Sequence, residues 1–259
     1  FGQNRGRWHN TWPRDFGRTS WIAFKKYDVL VGESIVLFVD GWRKHMQSLD
    51  FELNGDPTQA PQMAKYMKHQ FPFLGLKTPE RKAQTKPLLK ASRGEDLPTI
   101  RVWIDALYQR DAREYQYVAI DLALYHIKRW HFSDMQAFRQ LVVQKSWWDT
   151  VDAWRKVFAD YVRLHPDQKL AVFNLFFNQP NFWLRRIGIN LQLLEKETMD
   201  TALLSKVILA DLDTNEFFIQ KAIGWSLRQY SKFDPDWVLA FMAAHSLSPL
   251  AMREGSKYL

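Results

Sequence analysis

Short runs of apolar residues at helical spacing follow one another from about residue 34 onward, and the alternation that is typical of strands is nearly absent. Prolines and capping residues mark where several of these runs begin, as at Thr78-Pro79, Leu97-Pro98 and Asp234-Pro235. The pattern therefore predicts a succession of short amphipathic helices.

An aromatic pair recurs along this helical part of the chain at a spacing of about 35 residues. The pairs are Trp147-Trp148, Phe182-Trp183 and Phe217-Phe218. This period is typical of helical-hairpin repeats, in which each pair of helices buries its apolar face only against its neighbours. The sequence therefore predicts an all-α fold, a curved right-handed α-solenoid of roughly a dozen helices.

The stretch KSWWDTVD, which begins at residue 145, holds the most informative local pattern. Ser146 and Asp149 have the spacing of a capping box, which predicts that a helix begins at Trp147 and that Asp149 caps its backbone amides. Asp152 is then left free, and it lies one helical turn after Trp148 on the same face. An indole and a carboxylate placed in this way can act together on a cation.

A plainer alternative is that both tryptophans anchor a core and Asp152 is a solvated surface acid, since paired tryptophans at a helix start are usually core anchors. The repeats favour a site instead. Equivalent turns of three successive repeats carry Asp152, Arg186, Lys221 and Trp225, respectively, with the last two on one repeat. These residues should converge on one concave surface, where a solenoid without a ligand would place small or apolar side chains.

The charge balance favours a polyanionic partner. The chain has 36 Lys and Arg residues against 28 Asp and Glu, a formal net charge of +8 and a pI near 9.5. It has no cysteine, which excludes a thiol nucleophile and cysteine-ligated metal, and its 7 histidines show no ligand spacing. We therefore predict no metal and no cofactor. No apolar run approaches the roughly 20 residues of a membrane helix, so no membrane partner is predicted.

Residues 1–35 differ from the rest of the chain. They are rich in arginine, with Trp8, Trp12 and Trp21 set among Gly, Asn and Pro in no helical period. We interpret this segment as a flexible extension or one added for expression, and residues 36–259 as a single domain. A basic aromatic arm that contacts nucleic acid is the alternative.

Several longer motifs carry a resemblance to a known family. They are Met63–Lys68, Phe73–Arg81, Lys145–Asp152, Trp183–Arg186, Glu216–Arg228 and Pro249–Glu254. In this order and at these separations they resemble the AlkD-type family of DNA alkylation repair glycosylases, which are built of HEAT-like helical repeats. The resemblance covers roughly residues 36–258.

The resemblance implies a DNA glycosylase of base excision repair that hydrolyses the N-glycosidic bond of cationic alkylpurines, such as 7-alkylguanine and 3-alkyladenine, in duplex DNA. It also implies a monomer of the bacterial cytoplasm or nucleoid. Matched by motif, the catalytic carboxylate is Asp152, and the indoles that face the lesion are Trp148 and Trp225. The residues that contact DNA are Arg186, Lys221, Tyr66, Lys77 and Arg228, with Arg186 as the phosphate-binding arginine rather than Arg185.

The chemistry agrees with these residue types. A cationic alkylpurine can leave as a neutral base without a general acid, so the protein must mainly stabilise positive charge that develops on the sugar, which a carboxylate does. Two alternatives stay open. One is a catalytically silent relative that binds distorted or branched DNA, and the other is a solenoid scaffold for protein partners.

Overall fold

Every regular element in the part of the chain that the computed structural model describes, residues 49–259, is helical. The α-helices of this part are α1 (Ala60–Tyr66), α2 (Thr78–Ala91), α3 (Leu97–Gln109), α4 (Arg113–Tyr125), α5 (Phe132–Val142), α6 (Trp148–Leu164), α7 (Lys169–Asn174), α8 (Phe182–Asn190), α9 (Thr201–Leu209), α10 (Phe217–Tyr230), α11 (Pro235–Ala244) and α12 (Pro249–Gly255). The predicted all-α fold is confirmed. The predicted boundary between residues 35 and 36 lies outside the described residues.

Alternate helices form one continuous row. In this row α4 packs against α6, α6 against α8, α8 against α10, and α10 against α12. A second set of helices packs on the row, with α3 on α4, α5 on α6, α9 on α8 and α11 on α10. Because packing runs from each repeat to the next, the predicted α-solenoid is confirmed.

Helix α6 shows how the sequence pattern forms the core. Val151, Trp154 and Phe158 follow one another at helical spacing and are fully buried. The indole Nε1 of Trp154 donates a hydrogen bond to the hydroxyl of Tyr108 at 3.2 Å, which satisfies its polar atom inside the core. Asp152 lies beside this apolar face and stays partly exposed.

The start of α6 differs from the prediction. The helix begins at Trp148, one residue later than expected, and no capping box forms. Ser146 Oγ instead donates to the carbonyl oxygen of Val142 at 2.7 Å, and the Asp149 carboxylate accepts from Arg113 Nε at 2.9 Å and Nη2 at 2.6 Å. Arg113 is buried, and leaving a buried charge unpaired costs on the order of several kcal/mol, so this ion pair outcompetes capping.

Arg113 also fixes the first turn of α6 through other contacts. Its Nη1 donates to the carbonyl oxygen of Lys145 at 2.7 Å, and its Nη2 donates to Thr150 Oγ1 at 2.8 Å. The Tyr117 hydroxyl donates to Asp149 Oδ2 at 2.5 Å, and burial is the main cause that raises the pKa of Tyr117. The first turn of α6, which carries the predicted indole and leads to the predicted carboxylate, is therefore held in place by side chains of α4.

A second buried group of α4 fixes the segment before α2. The Glu114 carboxylate accepts hydrogen bonds from the backbone amides of Leu74 at 3.0 Å, Gly75 at 2.9 Å and Leu76 at 3.1 Å. Gly75 has a φ of +93°, and a Cβ there would lie 1.9 Å from the carbonyl oxygen of Asp56. Only glycine fits this turn, which sets the position at which α2 begins.

Candidate functional site

The centre of the site is an ion pair between two neighbouring helices of the row. Asp152 of α6 accepts from Arg186 of α8 through two parallel hydrogen bonds, Nε to Oδ1 at 2.9 Å and Nη2 to Oδ2 at 2.8 Å. The Asp152 side chain is 24% exposed and the Arg186 side chain 3%. The expectation that Asp152 stays free is therefore wrong. Its carboxylate is fixed in orientation from the protein side and open on the other.

Arg186 lies deeper than the phosphate-binding role predicts. Its Nη1 donates to the carbonyl oxygen of Phe218 at 2.6 Å, and its guanidinium lies over the Trp225 ring at 5.3 Å from the centroid. A buried guanidinium needs a counter-charge and hydrogen-bond acceptors, and Asp152 and the start of α10 supply both. The structure thus gives Arg186 contacts with Asp152 and Trp225 rather than an exposed surface position. Its neighbour Arg185 pairs with Asp211 at 2.9 Å.

One predicted indole lies on the helix of Asp152, and the other contacts Arg186. Trp148 lies one helical turn before Asp152 on α6, and Trp225 carries the guanidinium of Arg186 on its face. Both indoles are partly exposed. The ring of Tyr66, an exposed residue at the end of α1, meets the edge of Trp148 with centroids 5.8 Å apart. The described structure therefore links the predicted residues in two groups, with Arg186 between Asp152 and Trp225 and with Trp148 against Tyr66.

The other members of the recurring aromatic pairs form the packing between repeats. The ring of Trp147 contacts the rings of Trp183 at 5.9 Å and Phe218 at 5.3 Å between centroids. Trp183 and Phe218 contact each other at 4.8 Å. Phe182 and Phe217 extend the cluster through contacts with these rings. The repeat thus uses one aromatic of each pair as a spacer between neighbouring helices, as expected of core residues.

Lys221 and Arg228, two of the predicted DNA contacts, lie on α10 and share a partner that the sequence did not reveal. Glu254 of α12 accepts from Arg228 Nη1 at 3.0 Å and from Lys257 Nζ at 2.9 Å, and its other oxygen lies 3.2 Å from Lys221 Nζ. Hydrogen bonds from Lys257 and then Lys221 lower the pKa of Glu254 to about 2, so it is ionised at neutral pH. Glu254 lies within a recognised motif, but only the packing of α10 against α12 brings it to Lys221 and Arg228.

Lys77 lies at the start of α2 and not beside Asp152. It lines a groove of about 630 Å³, together with Tyr66, Arg81 and Tyr117. Because Tyr66 also contacts Trp148, the groove adjoins the indole side of the site. Arg81 pairs with Asp121 and is itself buried. The exposed positive charge of this groove comes from Lys77.

Residues 49–259 contain no candidate metal site and no candidate membrane-spanning helix. No group of three or more His, Cys, Asp or Glu side chains in this range is placed to hold a metal ion. None of the helices described there is both long and apolar enough to cross a membrane.

The fold and the site define a helical-repeat protein with a partly exposed carboxylate that is paired with a buried arginine. The chain belongs to the family of DNA alkylation repair enzymes, whose model matches residues 48–259. A solved structure described as a predicted DNA alkylation repair enzyme from Enterococcus faecalis is 52% identical, with a TM-score of 0.80. The match covers 81% of this chain and 98% of that one. No curated protein matches the chain. The family implies an enzyme of DNA alkylation repair that acts on DNA.

Proposed function

We propose that the protein is a DNA glycosylase that removes cationic alkylated purines from duplex DNA. The observation that carries the proposal is the Asp152 carboxylate, which is held by two hydrogen bonds from a buried arginine and left partly open, with Trp148 on its own helix and Trp225 against the same arginine. The family gives DNA as the substrate. The proposal adds the bond that is broken, the class of base that leaves and the groups that assist.

In the proposed reaction the bond between the sugar C1′ and the purine nitrogen breaks, and its electron pair goes to the base. The alkylpurine begins with a positive charge and leaves neutral, so it needs no proton. Positive charge develops on the sugar, where Asp152 stabilises it electrostatically. A water adds to C1′ and releases one proton. Each Asp152 oxygen retains a lone pair beyond its bond to Arg186, so the same carboxylate can orient that water.

The ion pair with Arg186 supports this role and does not cancel it. Both hydrogen bonds approach from the buried side, so they hold the carboxylate plane in one orientation before the substrate arrives. A charge that is already oriented needs no reorganisation as the transition state forms. The free energy needed to orient Asp152 is supplied when the protein folds, by the packing of α6 against α8.

The indoles suit a cationic ligand. Tryptophan attracts a cation through its ring face more strongly than the other aromatic residues do. Trp148 and Trp225 are both partly exposed and lie on two helices of the row, α6 and α10. Aromatic faces discriminate little between purines, which fits a class of lesions rather than one base.

The direct test is release of free base from methylated DNA. We expect the protein to release 7-methylguanine from methylated duplex DNA in the presence of a chelator and without nucleotide, measured by chromatography against a protein-free blank. Spontaneous depurination sets the blank. DNA binding without any release above the blank would instead support the catalytically silent relative, and no DNA binding at all would support a scaffold for protein partners.

Each indole should contribute a moderate amount to excision. Trp148→Ala and Trp225→Ala should each slow single-turnover release of 7-methylguanine by about 2- to 30-fold, because a cation–π contact is worth about 0.5 to 2 kcal/mol. Trp237→Ala is the matched control, since Trp237 lies on α11 and stacks on Phe241 instead. If the Trp237 variant slows release as much as the other two, Trp148 and Trp225 have no specific role in excision.

A further inference from the structure

Four charged side chains meet where the last two helices of the row cross. Lys221 and Arg228 of α10, together with Lys257 just after α12, surround the single carboxylate of Glu254. Only 7% of the Glu254 side chain is exposed, whereas 47% of the Lys257 side chain is. The Glu254 carboxylate is therefore buried beneath the cations, which face the solvent.

The cluster carries more positive charge than its structure requires. One cation would neutralise Glu254, yet three surround it, so three positive charges and one negative leave two positive charges in excess. Holding like charges together is unfavourable unless an anion joins them. The excess charge lies on the solvent side, where such an anion could bind.

The cations keep hydrogen-bond donors for a further partner. The contact with Glu254 occupies one N–H of each ammonium and one of the guanidinium. A lysine has three donors and an arginine five, so most of them stay available to oxygens of a phosphate. Phosphate oxygens favour charged donors of both kinds.

The position of the cluster relates it to the proposed active site. Lys221, Trp225 and Arg228 are spaced at i, i+4 and i+7 on α10 and so share one face of this helix. Trp225 thus lies one turn from each of the two cations, and its ring face meets Arg186 on the other side. A phosphate held by the cluster would therefore lie next to the Trp225 indole along α10.

The crossing of the two helices is built closely enough to fix the acid. A Cβ added at Gly224 would lie 2.4 Å from the Cβ of Glu254 and 3.1 Å from the carbonyl oxygen of Ala251. Only glycine allows α12 to approach α10 so closely. The Glu254 carboxylate is therefore placed by backbone packing and not by its ion pairs alone.

We propose that Glu254 is a positioning residue, which holds Lys221, Arg228 and Lys257 as a clamp for a backbone phosphate of DNA beside Trp225. The proposal rests on the DNA binding in the proposed function and not on excision. Phosphate contacts fix the register of the duplex on the protein, so the clamp would set which nucleotide faces Asp152.

The test measures binding of unmodified duplex DNA over a range of salt concentrations for Glu254→Gln. The clamp predicts binding that is about tenfold weaker, since this is roughly the factor that one lost charge-assisted hydrogen bond costs. It also predicts a salt slope reduced by about one to two, because each phosphate contact contributes about 0.9. The change in net charge alone predicts the opposite effect on affinity, since the substitution removes a negative charge and would tighten DNA binding.

Glu195→Gln is the matched control. Glu195 pairs with a single cation, Lys169 of α7, at 2.6 Å, and α7 lies outside the row that carries the site. Its loss should leave binding unchanged or slightly tighter. If Glu254→Gln also binds as tightly as the wild-type protein with an unchanged salt slope, Glu254 merely joins α12 to α10 and the proposal is overturned.

A second variant tests the clamp if Glu254→Gln does not fold. Lys257→Met removes an exposed cation and should lower the salt slope by about one without shifting thermal unfolding. An unchanged slope in a folded Lys257→Met protein overturns the clamp. Because the DNA is unmodified, these binding results do not depend on base release. If either variant gives the negative result while the wild-type protein excises 7-methylguanine, the clamp is refuted and the proposed function is not.

Discussion

Asp152→Asn is expected to slow single-turnover excision of 7-methylguanine by about 10²- to 10³-fold, the usual cost of removing one preorganised electrostatic group from a transition state. Asparagine keeps the shape of the side chain and removes its charge. Because the carboxylate acts on charge that develops during the reaction, binding of the same duplex should stay equal or tighten slightly. Tightening is expected since an acid that faces phosphates is repelled in the ground state.

Asp160→Asn provides the control for this prediction. Asp160 lies on the same helix and is also paired with a cation, Lys156, one turn before it. Its substitution should leave excision unchanged. Near-equal excision rates for the wild type and Asp152→Asn would show that Asp152 takes no part in the mechanism. Loss of DNA binding together with the circular dichroism spectrum of an unfolded protein would show that its role is structural.

Arg186→Lys is expected to slow excision by about 10- to 100-fold while DNA affinity and its salt dependence stay close to those of the wild type. Lysine keeps the positive charge but cannot form the two parallel hydrogen bonds that orient Asp152. Measurement of excision and of salt-dependent binding on one duplex separates the two effects. In combination with Asp152→Asn the losses should not add, because both substitutions disable the same carboxylate.

The neighbouring Arg185→Lys is the matched control for this second prediction. Arg185 forms its own ion pair with Asp211, and its loss should leave excision intact. An Arg186→Lys protein with normal excision and a salt slope lower by about one would contradict the positioning role. It would restore the phosphate contact that the family resemblance implied.

The helices, the repeat and the place of Trp148 one turn before Asp152 on one helix could be predicted because each depends on residues close together in the chain. Apolar spacing determines which face of a helix is buried, and a spacing of four residues places two side chains on one face. The same local logic predicted the capping box at Ser146 and Asp149, and there it failed. Arg113 is 36 residues away from Asp149, and the sequence gives no sign that it is buried and in need of a counter-charge.

The partners of the predicted charges could not be derived in the same way. The family resemblance implied a phosphate contact for Arg186, yet the packing of α8 against α6 brings its side chain to Asp152. Glu254 was passed over because an acid near the end of a basic chain has no local signal. Its role depends on how closely α12 approaches Gly224. Crossing angles and close approaches are tertiary properties that local spacing does not encode.

The central claim is that Asp152 and its indoles assist the departure of a base that is already cationic. The most direct measurement compares single-turnover excision by the wild-type protein on two duplexes of identical sequence, one with a single 7-methylguanine and the other with a single uracil. The account predicts ready release of 7-methylguanine and little release of uracil, which has no cationic leaving group. Comparable release of both bases, or release of uracil alone, would contradict it.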